Sequence, residues 1–318
     1  MSANPLILGT ANLGLGDAGR AGAFALLDTY LELGGSVIDT AAVYSDWVPG
    51  ETGRSETIIG EWLAARGNRD GLRLVTKGAH PPLDDPGEAR CDALSIRHDV
   101  EQSLRRLGTD RIDLWLLHRD DPTIPAVEIL ETLHRLVAEG KILAIGCSNW
   151  TLPRIREAER SGGFSANQVL GNVLVRLMNP PADPTNLRLD PPMFHHAVNN
   201  DVELQLYTSQ CRGLFAKRAA GGAIPAGYDN PACDAAAGRI EDLAQSAGLD
   251  ASRMVLAFLC ALAPCVRPIV GPRDVAQLRQ AYPAGELALA PDLVAAIAEA
   301  SGMTGYRVER SAVNDWRS

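Results

Sequence analysis

The sequence predicts a single closed (β/α)8 barrel with long loops at its C-terminal face. Short apolar runs alternate with amphipathic helical segments from one end of the 318 residues to the other. No linker or change in composition divides the chain, and its length accommodates an eight-stranded barrel of about 250 residues with additions. No G-x-G-x-x-G follows an early strand, which disfavours a doubly wound dinucleotide-binding sheet. We therefore expect residues 1–318 to form one domain.

Each element of this barrel has its own signal in the sequence. Eight short runs rich in Val, Ile or Leu predict strands at 6–9, 36–39, 72–77, 112–118, 142–146, 166–169, 202–207 and 266–270. The clearest helical periodicity predicts helices at 24–33, 56–65, 93–107, 125–139, 152–160 and 239–247. Several helices stop at a glycine, namely Gly34, Gly108, Gly140 and Gly248. The uncharged run 254–266 is too short to cross a bilayer and predicts a buried helix.

Two segments are too long and irregular to be plain barrel connections. Residues 179–192 and 219–231 are rich in Pro, Gly and Asn, and loops of this length are often functional. We predict that both border a binding site, and variable surface insertion is an equally weighted alternative.

Composition narrows the possible partners. The net charge is −9 and no run of Lys or Arg is present, which argues against a nucleic-acid surface. The N-terminus lacks a basic region followed by an apolar one, so we expect no secretory signal, a cytoplasmic location and no membrane association. The six cysteines form no C-x-x-C pair, which favours buried, reduced thiols. His195 and His196 would face different sides of a helix without a third ligand, so no metal site is expected.

Polar residues stand at the carboxyl ends of several predicted strands. Asp39, Lys77, His118 and Asn149 stand at strand ends, where barrel enzymes build their sites, and Tyr44 follows Asp39 by five residues. The chain has three lysines and 27 arginines, so the amine at position 77 indicates a specific requirement.

These residue types form a coherent chemical set. The Lys77 ammonium would stabilise the Tyr44 phenolate and lower the pKa of the phenol, which could then donate a proton to a carbonyl oxygen. Asp39 would hold Lys77 in place and keep it charged. His118 could donate a second hydrogen bond to the same oxygen. Because no side chain supplies a hydride, the set indicates a nicotinamide cofactor.

Six motifs in order make the chain resemble the aldo-keto reductase family along nearly its whole length. They are Asp39-Thr-Ala-Ala-Val-Tyr44 with Ser55-Glu56 and Gly60 downstream, Val75-Thr-Lys77, Asp113-Leu-Trp-Leu-Leu-His118, Gly140-Lys-Ile-Leu-Ala-Ile-Gly146-Cys-Ser-Asn149, Asn167-Gln168, and Tyr207 with the polar loop after it. The resemblance implies an oxidoreductase that reduces an aldehyde or ketone, or runs in reverse. It also implies Tyr44 as general acid/base, Lys77 and Asp39 as its tuning pair, and His118 as the group that orients the substrate.

The resemblance also implies where the cofactor binds. Ser148, Asn149 and Gln168 would hold the nicotinamide carboxamide, and Tyr207 would stack on the ring. The other implied contacts are Thr10, Ala11, Asp39, Thr208, Ser209, Gln210, Arg212, Leu214, Gly271, Arg273 and Gln277.

The family grips the adenosine 2′-phosphate where Arg273 stands, and a guanidinium near a helix N-terminus is a sound phosphate ligand. Asp274 and the pair Gln280-Ala281 depart from the family pattern. Asp274 either caps the helix or weakens phosphate binding. We therefore expect NADP(H), with NAD(H) as the alternative.

The substrate contacts are predicted to be Tyr44, Trp47, His118 and Trp150. The two tryptophans, with Arg119-Asp120-Asp121, could line a mouth suited to sugar-like ligands. A solvated turn before Pro122 is the alternative explanation for the two aspartates.

Two further functions remain open at this point. One is an aldolase that uses Lys77 as a Schiff-base nucleophile, and the other is a cofactor-binding regulatory subunit on the same fold. The sequence does not specify the substrate, the favoured direction or the oligomeric state.

Overall fold

Eight parallel strands close into one barrel in chain order. The computed structural model describes residues 4–15, 18–48, 50, 52–85 and 87–306. Each strand pairs with the next, and β1 pairs with β8 to complete the circle. The strands are β1 (Ile7–Gly9), β2 (Val37–Asp39), β3 (Arg73–Gly78), β4 (Leu114–Leu117), β5 (Ile145–Ser148), β6 (Ala166–Leu170), β7 (Glu203–Tyr207) and β8 (Val266–Val270). The predicted barrel is confirmed.

Helices surround the barrel and connect its strands. They are α1 (Gly19–Glu32), α2 (Arg54–Arg66), α3 (Ala93–Leu107), α4 (Ala126–Ala138), α5 (Leu152–Glu159), α6 (Pro191–Asn199), α7 (Leu214–Ala219), α8 (Pro231–Ser246), α9 (Ala251–Leu262), α10 (Val275–Ala281) and α11 (Pro291–Ser301). The glycines predicted to stop helices, Gly34, Gly108, Gly140 and Gly248, all adopt positive φ. The helix predicted within the uncharged run is α9, with its central residues buried.

Some boundaries differ from the predictions for identifiable reasons. The fifth strand lies at Ile145–Ser148 instead of 142–146, because Ile142 forms only an isolated bridge with Ile112. α8 begins eight residues before the predicted start at 239, where the Asn230 side chain accepts a hydrogen bond from the Cys233 amide. In the same way Asp190 caps α6, so both long loops end at capped helix starts.

Side chains alternate between the barrel interior and the helix layer. The interior cluster includes Val37, Val75, Leu116 and Ile269, and larger clusters fill the space between the strands and the helices. The inward-facing strand residues therefore form layers along the barrel axis. Inward-facing residues beyond the apolar layer, at the carboxyl ends of the strands, border the open end of the barrel, which we call the mouth. None of the helices in the described part of the chain has the length and apolar character to cross a membrane.

Candidate active site

The predicted group of Asp39, Tyr44, Lys77 and His118 comes together at the carboxyl end of the barrel. Asp39 ends β2, Lys77 lies near the end of β3, and His118 immediately follows β4. Parallel pairing of these strands puts their ends at one mouth. The His118 amide donates to the Gly78 carbonyl at 2.8 Å and so extends the ladder to this residue.

Lys77 is fully buried and holds the group together. Its Nζ donates to Asp39 Oδ2 at 2.9 Å, to the Thr40 carbonyl at 2.7 Å and to the Tyr44 hydroxyl at 3.0 Å. An ammonium has three N–H donors, and this site uses all three.

Opposing influences set the protonation of this pair. Burial acts to lower the pKa of Lys77, but the charges of Asp39 and Tyr44 and their hydrogen bonds outweigh it, and the pKa is raised. Burial raises the pKa of Tyr44, and the Lys77 ammonium opposes that rise. The prediction that Lys77 lowers the pKa of Tyr44 below its ordinary value is therefore wrong for the protein without ligand, because burial raises this pKa more than the ammonium lowers it.

His118 faces Tyr44 as a neutral ring. The two ring centroids are 5.9 Å apart in an edge-to-face arrangement. Burial, followed by the nearby Lys77 charge, His80 and Arg119, lowers the pKa of His118 well below its usual value. Its Nδ1 is buried and has no hydrogen-bond partner among the described residues.

The predicted carboxamide-binding residues form a second polar group beside the first. Gln168 Nε2 donates to Asp39 Oδ1 at 2.8 Å, which links the two groups. Asn149, at positive φ directly after β5, donates from Nδ2 to Ser148 Oγ at 3.0 Å. The Tyr207 hydroxyl donates to Asn149 Oδ1 at 2.7 Å.

Near β1, hydroxyl groups support the end of β2. Thr10 Oγ1 donates to the Asp39 carbonyl at 2.8 Å, and Ser55 Oγ donates to the Thr10 carbonyl at 3.0 Å. The Ala11 carbonyl accepts from Ser45 Oγ at 3.2 Å. Both predicted residues at the end of β1 therefore lie beside the Asp39 and Tyr44 segment.

The loops after β7 and β8 lie together at the same mouth. Ser209 Oγ donates to the Ile269 carbonyl of β8 at 2.5 Å. Thr208 and Arg212 adopt positive φ around the turn that holds Gln210, and the buried Leu214 begins α7.

After β8, Gly271 and Arg273 are exposed. The Asp274 side chain accepts from the Gln277 amide at 2.8 Å, and the Arg273 amide donates to Gln277 Oε1 at 3.1 Å. Asp274 therefore caps α10.

The two predicted tryptophans have different positions. Trp47 is half-exposed, whereas Trp150 is fully buried in the core. Phe164 packs edge-on against Trp150 at 5.0 Å, and the Arg154 guanidinium covers its ring at 4.9 Å. The assignment of Trp150 to the substrate mouth is wrong, because its side chain has no accessible surface there.

The three residues after His118, Arg119-Asp120-Asp121, have different partners. Asp120 pairs with Arg154 at 3.0 Å, and Asp121 is buried and accepts from Thr123, so the alternative of a solvated turn is wrong too. Of the three residues following His118, Arg119 remains beside the site.

Arg119 was not singled out in its observed role, which is to hold the first long loop. Its Nη2 donates to Asp183 Oδ2 and to Asn186 Oδ1, both at 3.1 Å. The Leu187 amide also donates to Asn149 Oδ1 at 3.1 Å. This segment, 179–192, therefore borders the site as predicted.

The second long loop packs against the first. Asn179 Nδ2 donates to Asp229 Oδ1 at 3.2 Å, and the Asn179 amide donates to the Gly227 carbonyl at 2.8 Å. The loop 219–231 therefore supports the loop 179–192.

The two adjacent histidines contact different partners. His195 Nε2 lies 2.9 Å from the Gly305 carbonyl, and His196 Nε2 lies 2.7 Å from Glu159 Oε1. Within the described residues no group of three His, Cys, Asp or Glu side chains is arranged to hold a metal ion.

Comparison with known proteins shows the family. Residues 5–301 match the model of the Aldo/keto reductase family. The chain belongs to this family. This aldo-keto reductase is therefore an oxidoreductase, and carbonyl reduction is the chemistry that its family and relatives support.

Its relatives include two fungal enzymes. The chain is 40% identical over 177 residues to norsolorinic acid reductase stcV of Emericella nidulans, in an alignment that covers 51% of this chain and 44% of that protein. It is 29% identical over 316 residues to aryl-alcohol dehydrogenase [NADP(+)] of Phanerodontia chrysosporium, covering 91% and 80% respectively.

A solved structure shares the fold of this aldo-keto reductase. It is a thermostable aldo-keto reductase in complex with the inhibitor epalrestat, with a TM-score of 0.71 at 24% identity. The superposition covers 93% of this chain and 94% of the other.

Proposed function

We propose that this aldo-keto reductase interconverts an aldehyde or ketone and its alcohol with NADP(H), and that Tyr44 moves the proton. The observation that carries the proposal is the coordination of Lys77, whose ammonium donates to Asp39, Thr40 and Tyr44 at once. This arrangement holds a phenol beside a fixed positive charge at the mouth of a barrel. The fungal relative named as an NADP(+) enzyme supports the cofactor class.

Tyr44 and His118 divide the work at the carbonyl oxygen. Because the pKa of Tyr44 is raised, the phenol carries its proton at neutral pH and donates it as the oxygen gains negative charge. His118 is neutral, and a buried N–H without an acceptor is costly, so its proton belongs on Nε2 and not on the unpartnered Nδ1. His118 Nε2 then donates a second hydrogen bond to the substrate.

The second polar group fits a nicotinamide carboxamide. Asn149 Oδ1 already accepts from Leu187 and Tyr207, so the remaining Asn149 Nδ2 hydrogen is the group available to a carboxamide oxygen. Gln168 Oε1 would accept from the carboxamide N–H. The cofactor supplies the hydride when bound, and the exposed Arg273 guanidinium would pair with its 2′-phosphate.

The Schiff-base aldolase is disfavoured by the same lysine geometry. A nucleophilic lysine needs a free electron pair, which a lowered pKa provides. Here the pKa of Lys77 is raised by Asp39 and Tyr44 despite burial, and its three hydrogens are all donated. Lys77 is suited to stabilising charge and not to forming a covalent bond.

One binding and activity screen tests the proposal. Titration with NADPH should quench tryptophan emission, and NADPH oxidation should follow with some member of a panel of aromatic aldehydes, methylglyoxal and ketosugars, with or without a chelator. The ketosugars test the sugar-like prediction for the substrate. Absence of binding by both NADPH and NADH would refute the reductase, and binding without turnover on any carbonyl would favour the regulatory subunit.

A further inference from the structure

A line of hydrogen-bonded polar side chains runs through the barrel interior from Asp39 and Gln168 to Gln205 and Glu203. Gln205 lies on β7 directly opposite Gln168 of β6, and both are almost fully buried. Gln168 Nε2 donates to Gln205 Oε1 at 2.8 Å, and Gln205 Nε2 donates to Glu203 Oε1 at 2.6 Å. Glu203, at the start of β7, thus connects through two amides to Asp39.

The far end of this line has a fixed polarity. Arg73 Nη1 donates to both Glu203 oxygens, at 2.9 Å and 2.6 Å, and Arg267 lies 3.8 Å from the same carboxylate. A carboxylate held by guanidinium groups accepts hydrogen bonds and donates none. Gln205 must therefore turn its NH2 group toward Glu203 and its oxygen toward Gln168.

The fixed orientation of the Gln205 amide also fixes the orientation of the Gln168 amide. Gln168 meets two acceptors, Gln205 Oε1 and Asp39 Oδ1, and its Nε2 donates to both at 2.8 Å. A reversed Gln168 would put its oxygen against two other oxygens, which no hydrogen bond could compensate.

The Gln168 Oε1 atom is then the one part of this amide left over. It accepts no hydrogen bond from the described residues, and it is not among their fully buried, unpartnered polar atoms. It therefore retains accessible surface and offers an acceptor to a ligand.

We propose that Gln205, oriented by Glu203, is a positioning residue that presents Gln168 Oε1 to the carboxamide N–H of the nicotinamide while Gln168 Nε2 holds Asp39. The proposal rests on the proposed function, because it needs a nicotinamide in the site. It assigns specificity to two residues that contact neither substrate nor cofactor.

A matched pair of cofactors tests the proposal by equilibrium binding. NADPH carries the carboxamide NH2, and reduced 3-acetylpyridine adenine dinucleotide phosphate has a methyl group in its place. The wild type should prefer NADPH by about fivefold, the value of one hydrogen bond. Gln205→Met keeps the side-chain length but removes the acceptor, and should reduce the preference to within about twofold.

The control is Asn167→Val, which removes a buried amide from β6, the strand that carries Gln168. Asn167 points to the opposite face from Gln168 and contacts Cys147, so this variant should keep the wild-type preference. Circular dichroism checks that each variant is folded. If Gln205→Met does not fold, Glu203→Gln provides the test at a partly exposed site, and its preference should fall in the same direction by a smaller factor.

The outcomes separate the two proposals. A wild type that binds neither cofactor refutes the proposed function itself. A wild type that binds both, with Gln205→Met or Glu203→Gln keeping the full preference, overturns the positioning role alone. Equal weakening of both cofactors, or loss of preference in Asn167→Val, also overturns it, because a purely structural contribution would act in this way.

Discussion

At Tyr44, burial and a neighbouring ammonium act on one hydroxyl in opposite directions. Burial raises the pKa of Tyr44, so the phenol keeps its proton at neutral pH and has the form that the proposed carbonyl reduction requires. Alcohol oxidation needs the phenolate instead, so its rate should rise with pH through the alkaline range while the reduction rate falls. Tyr44→Phe should lower turnover by about 10²–10⁴-fold and abolish this alkaline dependence.

The measurement is kcat against pH in both directions, with the cofactor Kd as the control for an intact site. The ring of Tyr44→Phe fills the same space, so its cofactor Kd should stay close to that of the wild type. Wild-type turnover with an unchanged pH profile in Tyr44→Phe would show that another residue moves the proton.

At His118, the lowered pKa predicts a different pH response. The ring is neutral in the free protein, and it gains a proton only well below its usual pKa. The kcat/KM for reduction should therefore show no histidine transition between about pH 6 and 7.5. A transition in that range that disappears in His118→Gln would contradict the neutral assignment.

Single residues also show what the sequence could and could not predict. Asp39, Lys77 and His118 were predictable because strand ends in a barrel share one mouth. Trp150 was misassigned because Asn149 adopts a left-handed conformation, which periodicity does not reveal, and the next side chain packs into the core. Gln205 was missed, although the alternation of polar and apolar residues in Glu203-Leu-Gln-Leu-Tyr207 places it on the inner face with Tyr207.

Among the elements, α10 allows the two explanations for Asp274 to be separated. Its carboxylate accepts from the Gln277 amide, so Asp274→Ser should keep the cap, and Asp274→Ala should cost about 1 kcal/mol of stability. Neither substitution should strengthen NADPH binding. Denaturant unfolding and cofactor titration measure the two effects, and a clear gain in NADPH affinity for Asp274→Ser would show that the carboxylate opposes the phosphate.

The neighbouring Arg273 provides the test of cofactor choice. Arg273→Ala should weaken NADPH binding by about tenfold and leave NADH binding nearly unchanged, because only NADPH has a 2′-phosphate. Arg279→Ala, at the exposed end of the same helix, is a matched loss of charge and should affect neither cofactor selectively. Equal weakening of both cofactors by Arg273→Ala would show that this arginine does not read the phosphate.

Element boundaries depended on how proline was interpreted. Asn230-Pro231 and Asp190-Pro191 indicated loops by composition, yet in each pair the first residue caps a helix and the proline occupies its first turn. The shift of β5 has another origin, because an isolated bridge at Ile142 depends on a partner strand. Local sequence does not specify such pairing.

On the scale of the whole molecule, closure between β1 and β8 joins the first strand of the barrel to the last. The single domain predicted for residues 1–318 stays a prediction, and it requires one cooperative unfolding transition. Circular dichroism and tryptophan fluorescence should give coincident urea curves, and saturating NADPH should shift both curves together. Two separate transitions, with only one sensitive to NADPH, would indicate independent units.

The scarcity of lysine has a practical consequence for handling the protein. Lys77 is fully enclosed, so reagents that acylate free amines cannot reach it. Its nitrogen is also protonated and has no free electron pair with which to attack such a reagent. The other two lysine side chains, Lys141 and Lys217, lie outside the group of Asp39, Tyr44, Lys77 and His118 and have accessible surface. Biotin or a solid support can therefore be attached through lysine chemistry at few positions, with the Lys77 ammonium left unmodified.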